Sequence, residues 1–447
     1  KLLQDIKKLE NKNIKVVPGP CMGRCSVAPT VCVGKNYVDV ANFDKVKKTI
    51  DEKSFEPFIP DYINLSAYKK NGGYEIAKKI YNGVISKKQV LDSLNESGLK
   101  GKGGAGFPTG KKWEIVSNYN GKKYVAVNGD EGEPGTFKDR SYLESDPHRF
   151  LEGALIASYF INAQKVYIYM RDEYPTVIKI LLDEINKMED EEIIPKDFFI
   201  VRRGAGAYIC GEESAMIESI EGKRGLPRHR PPYVAEIGLF GCPTLTNNLE
   251  TLFWVRDIIE KGAKWFAEKG SNGNKGFHSF SVSGRVKNPG VKVAPAGITI
   301  QQLIDKYCDG MADGHTFKGY LPGGASGGIL PATMNDIPLD YGSKELMDAG
   351  CFLGSAAVVV LSDHDNMKDV ALNLLKFFEE ESCGQCTPCR SGTEKTVKLM
   401  QEKNWNKEKL KDLSEVMAQA SICGLGQAAT NPLNSVLKYF SNEITYD

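Results

Sequence analysis

The chain lacks a long hydrophobic run and an excess of charge of either sign. Its longest apolar stretch, near residues 351–361, is too short to span a bilayer, and no secretory signal is visible. We therefore expect a cytoplasmic protein with no direct membrane insertion. The 447 residues carry 58 basic and 57 acidic side chains, which gives a net charge of +1. This balance removes the electrostatic reason to expect a nucleic acid as the main partner.

The sequence also has few histidines, and its cysteines are unevenly spaced. The five histidines stand singly, no two of them have the spacing of metal ligands, and no Ser/His/Asp arrangement is readable, so the sequence shows no hydrolytic triad. The 11 cysteines are too few and too unevenly placed for a disulfide framework in a chain of this length. Their two clusters, within residues 21–32 and 383–389, indicate metal binding instead.

The sequence does contain a glycine-dense loop followed by an acidic turn. The loop reads GKGGAGFPTG over residues 101–110, and Gly101, Gly103 and Gly106 have the spacing of a dinucleotide fingerprint. Such glycines let backbone N–H groups approach a phosphate without interference from side chains. An ordinary fingerprint follows a strand, whereas the residues just before this loop repeat at helical spacing. Alone, the motif is therefore a weak indication of a nucleotide site.

The predicted strand comes after the loop, at residues 124–127. Its carboxyl end carries Asn128, Asp130, Glu131 and Glu133. Ligands in open α/β sheets bind beyond the carboxyl ends of strands, so we expect the loop and this acidic turn to face one crevice. The alternative that the residues leave open is a tight loop followed by carboxylates that only cap the next helix.

Alternating strands and helices continue to about residue 221. Predicted strands 165–170 and 197–203 alternate with helices 147–162, 175–188 and 212–221, which implies an α/β fold with a mostly parallel sheet covered on both faces. The last loop of the series, GAGAYICGEE, is a second glycine loop that enters a helix. Glu212 and Glu213 either belong to the same crevice or only complement the helix dipole. The basic run from Lys223 to Arg230 is predicted to be a solvated loop or a subunit contact.

Other regions flank this series. Residues 1–52 predict a helix at 2–9, a strand at 14–17, a Cys-x-x-x-Cys turn, a strand at 30–40 and a helix at 46–50. Residues 276–355 predict a β-grasp-like domain, to which we assign a packing role because no titratable cluster stands out in it. Residues 366–440 predict a helical C-terminal part.

The strongest chemical signal lies in the C-terminal part. Cys383, Cys386 and Cys389 form one short run, and Cys423 follows in the distant turn SICGLG. Three thiolates from one segment and a fourth from a remote loop are the usual distribution of ligands around a 4Fe–4S cluster. A structural zinc ion held by four cysteines is the alternative, although zinc sites prefer two separate Cys-x-x-Cys pairs.

Together these motifs resemble one family. GKGGAGFPTG, NGDEGEPGT, GAGAYICGEE, TNNLET and SCGQCTPCR are similar, in this order, to segments of the FMN- and NADH-binding subunit of respiratory complex I and its soluble relatives. The resemblance covers the chain from about residue 72 to residue 440. It implies a multidomain α/β protein with a Rossmann-like flavin domain over 53–270, the β-grasp-like domain, and a C-terminal helical bundle with a 4Fe–4S cluster over 356–447.

The resemblance also implies which residues bind the cofactors. FMN is expected to contact Gly101, Gly103, Gly104, Gly106, Lys112, Asn128, Asp130, Glu131, Gly211, Glu212, Asn247 and Asn248. NADH is expected to stack over the flavin, bracketed by Phe107, Glu133, Tyr208, Glu213 and Tyr233. The 4Fe–4S ligands would be Cys383, Cys386, Cys389 and Cys423. Because the chemistry belongs to the cofactors, no side chain need act as a nucleophile or general base.

The N-terminal segment CMGRCSVAP resembles the second cysteine pair of a thioredoxin-like 2Fe–2S domain, here a partial domain over 1–52. Cys21 and Cys25 are therefore predicted ligands of a 2Fe–2S cluster, and the first cysteine pair would lie before Lys1. Placed ahead of a flavin-binding region in one chain, this domain is similar to those of NAD-linked soluble hydrogenases and formate dehydrogenases of anaerobes, some of them electron-bifurcating.

We therefore predict an NADH:acceptor oxidoreductase subunit. It would exchange a hydride between NAD(H) and FMN and pass single electrons through Fe–S clusters to the partner subunits of a soluble hydrogenase or formate dehydrogenase, with ferredoxin as a further candidate partner. Glu213 would repel a 2′-phosphate, so NAD(H) is predicted over NADP(H). The alternatives are the NADH-binding subunit of respiratory complex I and a zinc-stabilised nucleotide-binding scaffold without redox activity.

Overall fold

The computed structural model describes residues 1–444 and arranges them in four consecutive regions. The first region is small, with a core that includes Val38 and Val46. Its elements are helix α1 (Leu2–Ile6), strands β1 (Val31–Val33) and β2 (Asn36–Val38), and helix α2 (Phe43–Asp51). The predicted strand at 14–17 is wrong, because Ile14 makes only an isolated bridge to Asn11. The predicted strand at 30–40 is a hairpin, since Gly34 adopts a φ of +66° and turns the chain.

The second region is an α/β domain. Its helices are α3 (Leu65–Lys70), α4 (Glu75–Tyr81), α5 (Lys87–Ser97), α6 (Thr109–Ser117), α7 (Lys138–Ser145), α8 (Pro147–Ile161), α9 (Pro175–Asp190), α10 (Glu213–Ile220), α11 (Leu249–Lys261) and α12 (Ala263–Ala267). Its strands are β3 (Tyr124–Gly129), β4 (Lys165–Met170), β5 (Phe199–Arg203) and β6 (Thr244–Asn248). The sheet has the order β5-β4-β3-β6 and all its neighbours are parallel. The predicted parallel sheet is thus confirmed, although the sequence pattern does not indicate β6.

The order of the strands places a crevice at the carboxyl end of β3. The chain adds β4 and β5 on one side of β3 and then returns to add β6 on the other side. Such a reversal leaves an opening between the carboxyl ends of the two strands at which it occurs, here β3 and β6. Asn128 near the end of β3 and Asn248 at the end of β6 therefore stand side by side in the parallel register.

Side chains of the sheet alternate between two cores. Val125 and Val127 of β3 pack into a core shared with α8, α9 and α11. Ala126 points to the opposite face, which is covered by α10 and by the C-terminal helices. Both faces of the sheet are therefore buried, as a parallel sheet requires.

The third region is the predicted β-grasp-like domain. Its strands are β7 (Phe277–Gly284), β8 (Gly290–Pro295), β9 (Phe317–Leu321), β10 (Leu330–Pro331) and β11 (Ala357–Ser362), and its helices are α13 (Ile300–Tyr307) and α14 (Lys344–Asp348). Strands β7 and β8 form an antiparallel hairpin, β11 lies parallel to β7, and β9 pairs with the other side of β11. With α13 between β8 and β9, this is a β-grasp arrangement. The sheet continues to Ser362, beyond the predicted boundary at residue 355.

The fourth region is helical, as predicted. Its helices are α15 (Met367–Glu380), α16 (Thr387–Met400), α17 (Lys407–Ala420), α18 (Gly424–Ala428) and α19 (Asn431–Tyr439). Helices α15, α16 and α17 pack consecutively, and α19 returns to contact α15. Within residues 1–444, no helix combines the length and the apolar character that a bilayer crossing needs.

Candidate functional site

A cavity of about 710 Å³ lies at the carboxyl ends of β3 and β6. All of the predicted nucleotide- and flavin-binding residues except Tyr233 line it. These are Gly101, Gly103, Gly104, Gly106, Phe107, Lys112, Asn128, Asp130, Glu131, Glu133, Tyr208, Gly211, Glu212, Glu213, Asn247 and Asn248. Tyr233 lies outside the lining and exposes 57% of its surface, so its contact with a nucleotide stays a prediction.

The glycine loop forms a closed cradle on one wall of the cavity. The N–H of Gly101 donates to the carbonyl of Phe107 over 2.8 Å, which pins the two ends of the loop together. Gly106 has a φ of +63°, and a Cβ there would lie 2.5 Å from the Cβ of Tyr341. A Cβ on Gly103 would lie 3.1 Å from the Cβ of Asn248. Larger residues at these positions would therefore strain or displace the loop. The glycines that are present leave the backbone of the loop free to approach a ligand.

Asp130 lines the cavity and carries an unused buried acceptor. Its Oδ2 is buried and has no hydrogen-bond partner in the described residues, while its N–H donates to Asn128 Oδ1 over 3.0 Å. Burial raises the pKa of Asp130 to about 7, although the guanidinium of Arg171 opposes the shift. An orphaned carboxylate oxygen of this kind fits a ligand that presents an N–H or O–H group.

The carboxylate of Glu131 is held by the protein. It accepts from the N–H groups of Asp139 at 2.8 Å and Arg140 at 3.3 Å, at the start of α7, and from the hydroxyl of Tyr174 at 3.1 Å. Burial raises its pKa, and the nearby carboxylate of Asp139 adds to the shift. Glu131 thus caps the start of α7, in agreement with the helix-capping alternative. The contact of Glu131 with a flavin stays a prediction.

Glu133 is held by the β-grasp-like domain. It accepts from the backbone N–H of Ser326 at 2.9 Å and from the hydroxyl of the same residue at 2.5 Å. Gly324 lies so close that a Cβ on it would meet the carboxyl carbon of Glu133 at 2.7 Å. Burial raises the pKa of Glu133, while the two hydrogen bonds from Ser326 oppose the shift. Glu133 therefore joins the cavity wall of one domain to a loop of the next.

The second glycine loop separates the roles of its two glutamates. Glu212 is the N-cap of α10 and accepts from the N–H groups of Ser214 and Ala215, both at 3.0 Å. Glu213 instead faces Lys112, whose Nζ is 3.0 Å from its carboxylate, and it also accepts from the hydroxyl of Thr246. Burial would raise the pKa of Glu213, but Lys112 and the Thr246 hydroxyl outweigh it and lower that pKa. Glu213 is therefore an anion in the cavity wall.

Arg230 lines the cavity while 42% of its side chain stays exposed, so the prediction of a solvated loop or a subunit contact for the basic run stays a prediction. Its guanidinium lines the cavity, pairs with Glu212 and lies 3.9 Å from Glu213. The sequence gives no indication of this contact, because it depends on how the loop after α10 folds back over the start of the helix. Together with Lys112, Arg230 gives this wall two cations.

The sequence analysis also misses several lining residues, of which Thr136 and Thr246 lie within the quoted motifs and the others outside them. These are Thr136, Lys138, Asp139, Arg230, Thr246, Ser326, Phe352, Gly354, Ser355, Gln427 and Asn431. Lys138 is almost fully buried and pairs with Asp139 at 2.8 Å and with Glu250 at 3.0 Å. Its acidic neighbours raise its pKa against the effect of burial, so it stays charged. Ser326, Phe352 and Ser355 come from the β-grasp-like domain, and the prediction of a mere packing role for that domain is therefore wrong.

The four C-terminal cysteines meet at one place. Cys386 is the N-cap of α16 and Cys423 is the N-cap of α18. A Cβ on Gly426 would lie 2.8 Å from the Cβ of Cys389, so the two segments are in direct contact. Burial raises the pKa of Cys389 to about 11, and the neighbouring thiols of Cys386, Cys423 and Cys383 add to the shift. The three-cysteine run and the remote cysteine are thus brought together as predicted.

The surroundings of these thiols fit an anionic cluster. Burial raises the pKa of Cys423. The N–H groups of Leu425 and Gly426, at the start of α18, point to Cys423 and oppose this increase without cancelling it. Hydrogen bonds of this type to cysteine sulfur tune Fe–S clusters. Within residues 1–444, no three His, Cys, Asp or Glu side chains form a group that could hold a single metal ion.

Cys21 and Cys25 lie directly behind the acidic turn. The guanidinium of Arg171 donates to the carbonyl of Cys21 over 2.5 Å and to the carbonyl of Glu131 over 2.8 Å. The Cys21 thiol shares a hydrogen bond with Cys25, which lowers the pKa of Cys21 and raises that of Cys25. The pair is therefore adjacent to the cavity, as a half-site with two thiols.

Comparison with known proteins agrees with these features. Residues 94–257 match the family model of the Nuo51 FMN-binding domain, and residues 369–447 match the NADH-ubiquinone oxidoreductase-F iron-sulfur binding region. The chain is 40% identical over 400 residues to the F 2 subunit of NADH-quinone oxidoreductase from Rhizobium meliloti (strain 1021), covering 86% of this chain and 94% of the relative. It is 39% identical over 400 residues to the F subunit of the same enzyme from Aquifex aeolicus (strain VF5), covering 86% and 91%.

Solved structures of NAD+-reducing [NiFe]-hydrogenase are also similar. The structure in the H2-reduced state has a TM-score of 0.83 and 30% sequence identity, covering 95% of this chain and 75% of that chain. The structure in the air-oxidized state has a TM-score of 0.86 and 29% identity, covering 99% and 81%.

Proposed function

The chain belongs to the family of the F subunits of NADH-quinone oxidoreductases, and from this premise we propose that it is the NADH-oxidising flavoprotein subunit of a soluble NAD-linked hydrogenase or formate dehydrogenase. As a member of this family it is an FMN-dependent NADH dehydrogenase subunit with FMN, NADH and a 4Fe–4S cluster as its cofactors. We further propose the type of partner enzyme, the 2Fe–2S cluster and a cytoplasmic location.

The observation that carries the proposal is the glycine-walled cavity at the carboxyl ends of β3 and β6, whose lining includes Asp130, a residue with a buried and unpartnered Oδ2 in the described residues. FMN presents a phosphate, ribityl hydroxyls and a ring N–H, so it supplies both an anion for the glycine loop and a donor for Asp130. When bound, FMN supplies hydride exchange with nicotinamide and single-electron transfer to Fe–S clusters. The residues of the chain hold and orient the two ring systems and exclude water.

The aromatic side chains suit the nucleotide. Phe107 exposes 43% of its surface at the glycine loop, and Tyr208 lines the same cavity, with its ring 5.1 Å from that of Phe377. Flat apolar rings at the mouth of a cavity favour the stacking of another planar ring. We propose that Glu213, with Lys112 and Arg230 beside it, receives the adenosine ribose and selects NAD(H).

The N-terminal region supports a hydrogenase-type partner. The structure matches to the hydrogenase chains cover 95% and 99% of this chain and therefore extend into its N-terminal region. The place of Cys21 behind the acidic turn supports an electron route through a 2Fe–2S cluster at this half-site, completed by two further thiols.

Identification of the co-purifying subunits tests the proposed partner. An affinity-tagged copy expressed from its own locus, and isolated without oxygen, is expected to retain a hydrogenase or formate dehydrogenase catalytic subunit. Quinone-reducing membrane subunits in its place would contradict the proposal and favour the complex I alternative. Adding ferredoxin and NADH to the isolated complex then distinguishes two types of enzyme. A bifurcating enzyme couples two acceptors, whereas a non-bifurcating enzyme does not.

A further inference from the structure

A chain of four side chains, three of them buried, joins the glycine loop to the β-grasp-like domain. Lys102 is a lining residue of the cavity that is only 2% exposed, and its Nζ donates to the carbonyl of Phe277 over 2.5 Å. The same Nζ lies 2.8 Å from Nδ1 of His278. Nε2 of His278 lies 2.6 Å from Oδ1 of Asp340, and Oδ2 of Asp340 accepts from Lys100 over 2.9 Å.

The donors and acceptors of this chain have one consistent arrangement. An ammonium group only donates, so Nδ1 of His278 accepts from Lys102 and the ring proton sits on Nε2, where it donates to Asp340. Burial lowers the pKa of His278 to about 4, and the charge of Lys102 adds to the effect. Burial also lowers the pKa of Lys102 to about 8, against the attraction of Glu250 and Asp340. A neutral imidazole thus links the carboxylate of Asp340 to a buried lysine.

The chain of side chains begins and ends on the glycine loop. Lys100 and Lys102 flank Gly101, and both are anchored through the single His278–Asp340 pair. Lys100 also donates to the carbonyl of Tyr341 over 2.9 Å, and the ring of Tyr341 fills the space beside Gly106. Movement of the two domains apart would therefore leave a buried ammonium group without acceptors, which is costly.

We propose that His278 and Asp340 are positioning residues that fix the glycine loop in the conformation that binds FMN. This inference rests on the proposed function, because it assumes that the loop seats the flavin. Neither side chain lines the cavity, so both act through Lys100 and Lys102. Loss of the pair is expected to weaken FMN binding without removing the Fe–S cluster, whose ligands lie in another region.

The variants separate the two hydrogen bonds of the imidazole. His278→Leu removes both, whereas His278→Asn keeps an acceptor near the position of Nδ1 for Lys102. Asp340→Asn keeps the shape and an acceptor for His278 but loses the charge. His148→Leu is the matched control, because His148 is equally buried, lies between Tyr74 and Glu184 at 2.7 Å from each, and lies outside the cavity.

The test measures the dissociation constant of FMN for the purified full chain, from the fluorescence of released flavin, together with iron per chain. His278→Leu is expected to raise the constant at least about tenfold, His278→Asn and Asp340→Asn to raise it less, and His148→Leu to leave it within about twofold. Iron per chain is expected to stay at the wild-type value in all four variants.

Two results would overturn the proposal while the proposed function stands. One is an unchanged constant in both His278→Leu and Asp340→Asn, and the other is an equal increase in His278→Leu and His148→Leu, which a general loss of stability explains. A wild-type chain that binds no FMN would instead overturn the proposed function, and the inference with it.

Discussion

The ammonium of Lys112 lies 3.0 Å from the carboxylate of Glu213 in the wall of the cavity. Lys112 is on α6, which follows the first glycine loop, and Glu213 begins α10, which follows the second. The pair thus joins the two loops across the crevice between β3 and β6. It also places one carboxylate and two cations, Lys112 and Arg230, at the position where we propose that the nucleotide ribose binds.

Replacing Glu213 with Gln is expected to increase the use of NADPH. The change removes the charge that repels a 2′-phosphate and frees Lys112 to attract one, while Arg230 keeps Glu212 as its partner. Steady-state assays with both nucleotides are expected to show the ratio of kcat/KM for NADPH to that for NADH rising at least about tenfold, or about 1.4 kcal/mol. Glu218→Gln is the control, because Glu218 lies on the same helix and pairs with Arg228 outside the cavity. An unchanged ratio in the Glu213 variant would refute the assignment.

Asp130 is expected to make the flavin-free protein less stable as the pH rises. Its pKa in the folded chain is raised to about 7 from an ordinary value of 3.8, so the stability that its protonated form contributes is present below about pH 4 and is lost by about pH 7. Asp130→Asn removes this effect. In denaturant unfolding from pH 4 to 8, the free energy of unfolding of the variant is expected to rise relative to that of the wild type by up to about 1.4 kcal/mol per pH unit. Parallel stability curves would contradict the buried, unpaired carboxylate.

Gly106→Ala is expected to abolish FMN binding. Its φ is +63°, and the new Cβ would meet the Cβ of Tyr341 at 2.5 Å, so both the backbone and the loop contact are strained. Gly121→Ala is the matched control, since Gly121 has a φ of +87° but no heavy atom within 4 Å of an added Cβ. The control is expected to lose about 1 kcal/mol of stability and to retain its flavin. Equal flavin contents in the two variants would show that the loop tolerates movement.

Cys423→Ser is expected to remove the C-terminal cluster. The wild-type chain should contain about four iron atoms at this site and absorb near 400 nm, on the order of what Fe–S chromophores show. The variant should lose the iron and the cluster's part of the absorbance and keep FMN with its own absorbance, because most of the residues that line the cavity lie outside residues 423–431. Cys242→Ser is the control, since Cys242 donates only to the carbonyl of Phe240. Zinc in place of iron in the anaerobically purified wild type would favour the scaffold alternative.

Local patterns predicted the parts of the fold that depend on neighbouring residues. The strands β3, β4 and β5 and the helices between them follow from apolar runs and their spacing, and the β-grasp-like sheet follows from Gly- and Pro-punctuated strands. Strand β6 could not be predicted in this way, because four of the five residues in the short segment TLTNN are polar and the segment becomes a strand only by pairing with β3. The hairpin around Gly34 is local, because that residue turns the chain, whereas Ile14 finds only an isolated bridge to Asn11 and segment 14–17 forms no strand.

The same division holds for the site. Glycine loops and carboxylates at strand ends are visible in sequence, because their spacing carries their chemistry. The partners that orient them are not visible. Ser326 meets Glu133, and His278 meets Lys102, through the packing of one domain on another. No local pattern encodes such long-range contacts, which is why a packing role was the natural but wrong expectation for the β-grasp-like domain.

Anaerobic titration of the FMN-loaded chain with NADH tests the central claim most directly. We predict that the yellow flavin absorbance bleaches with about one NADH per flavin, and that ferricyanide, a one-electron acceptor, restores it. NADPH at the same concentration is predicted to act far more weakly. A chain that contains stoichiometric FMN and does not bleach with NADH would contradict the assignment of this cavity as the site of hydride exchange.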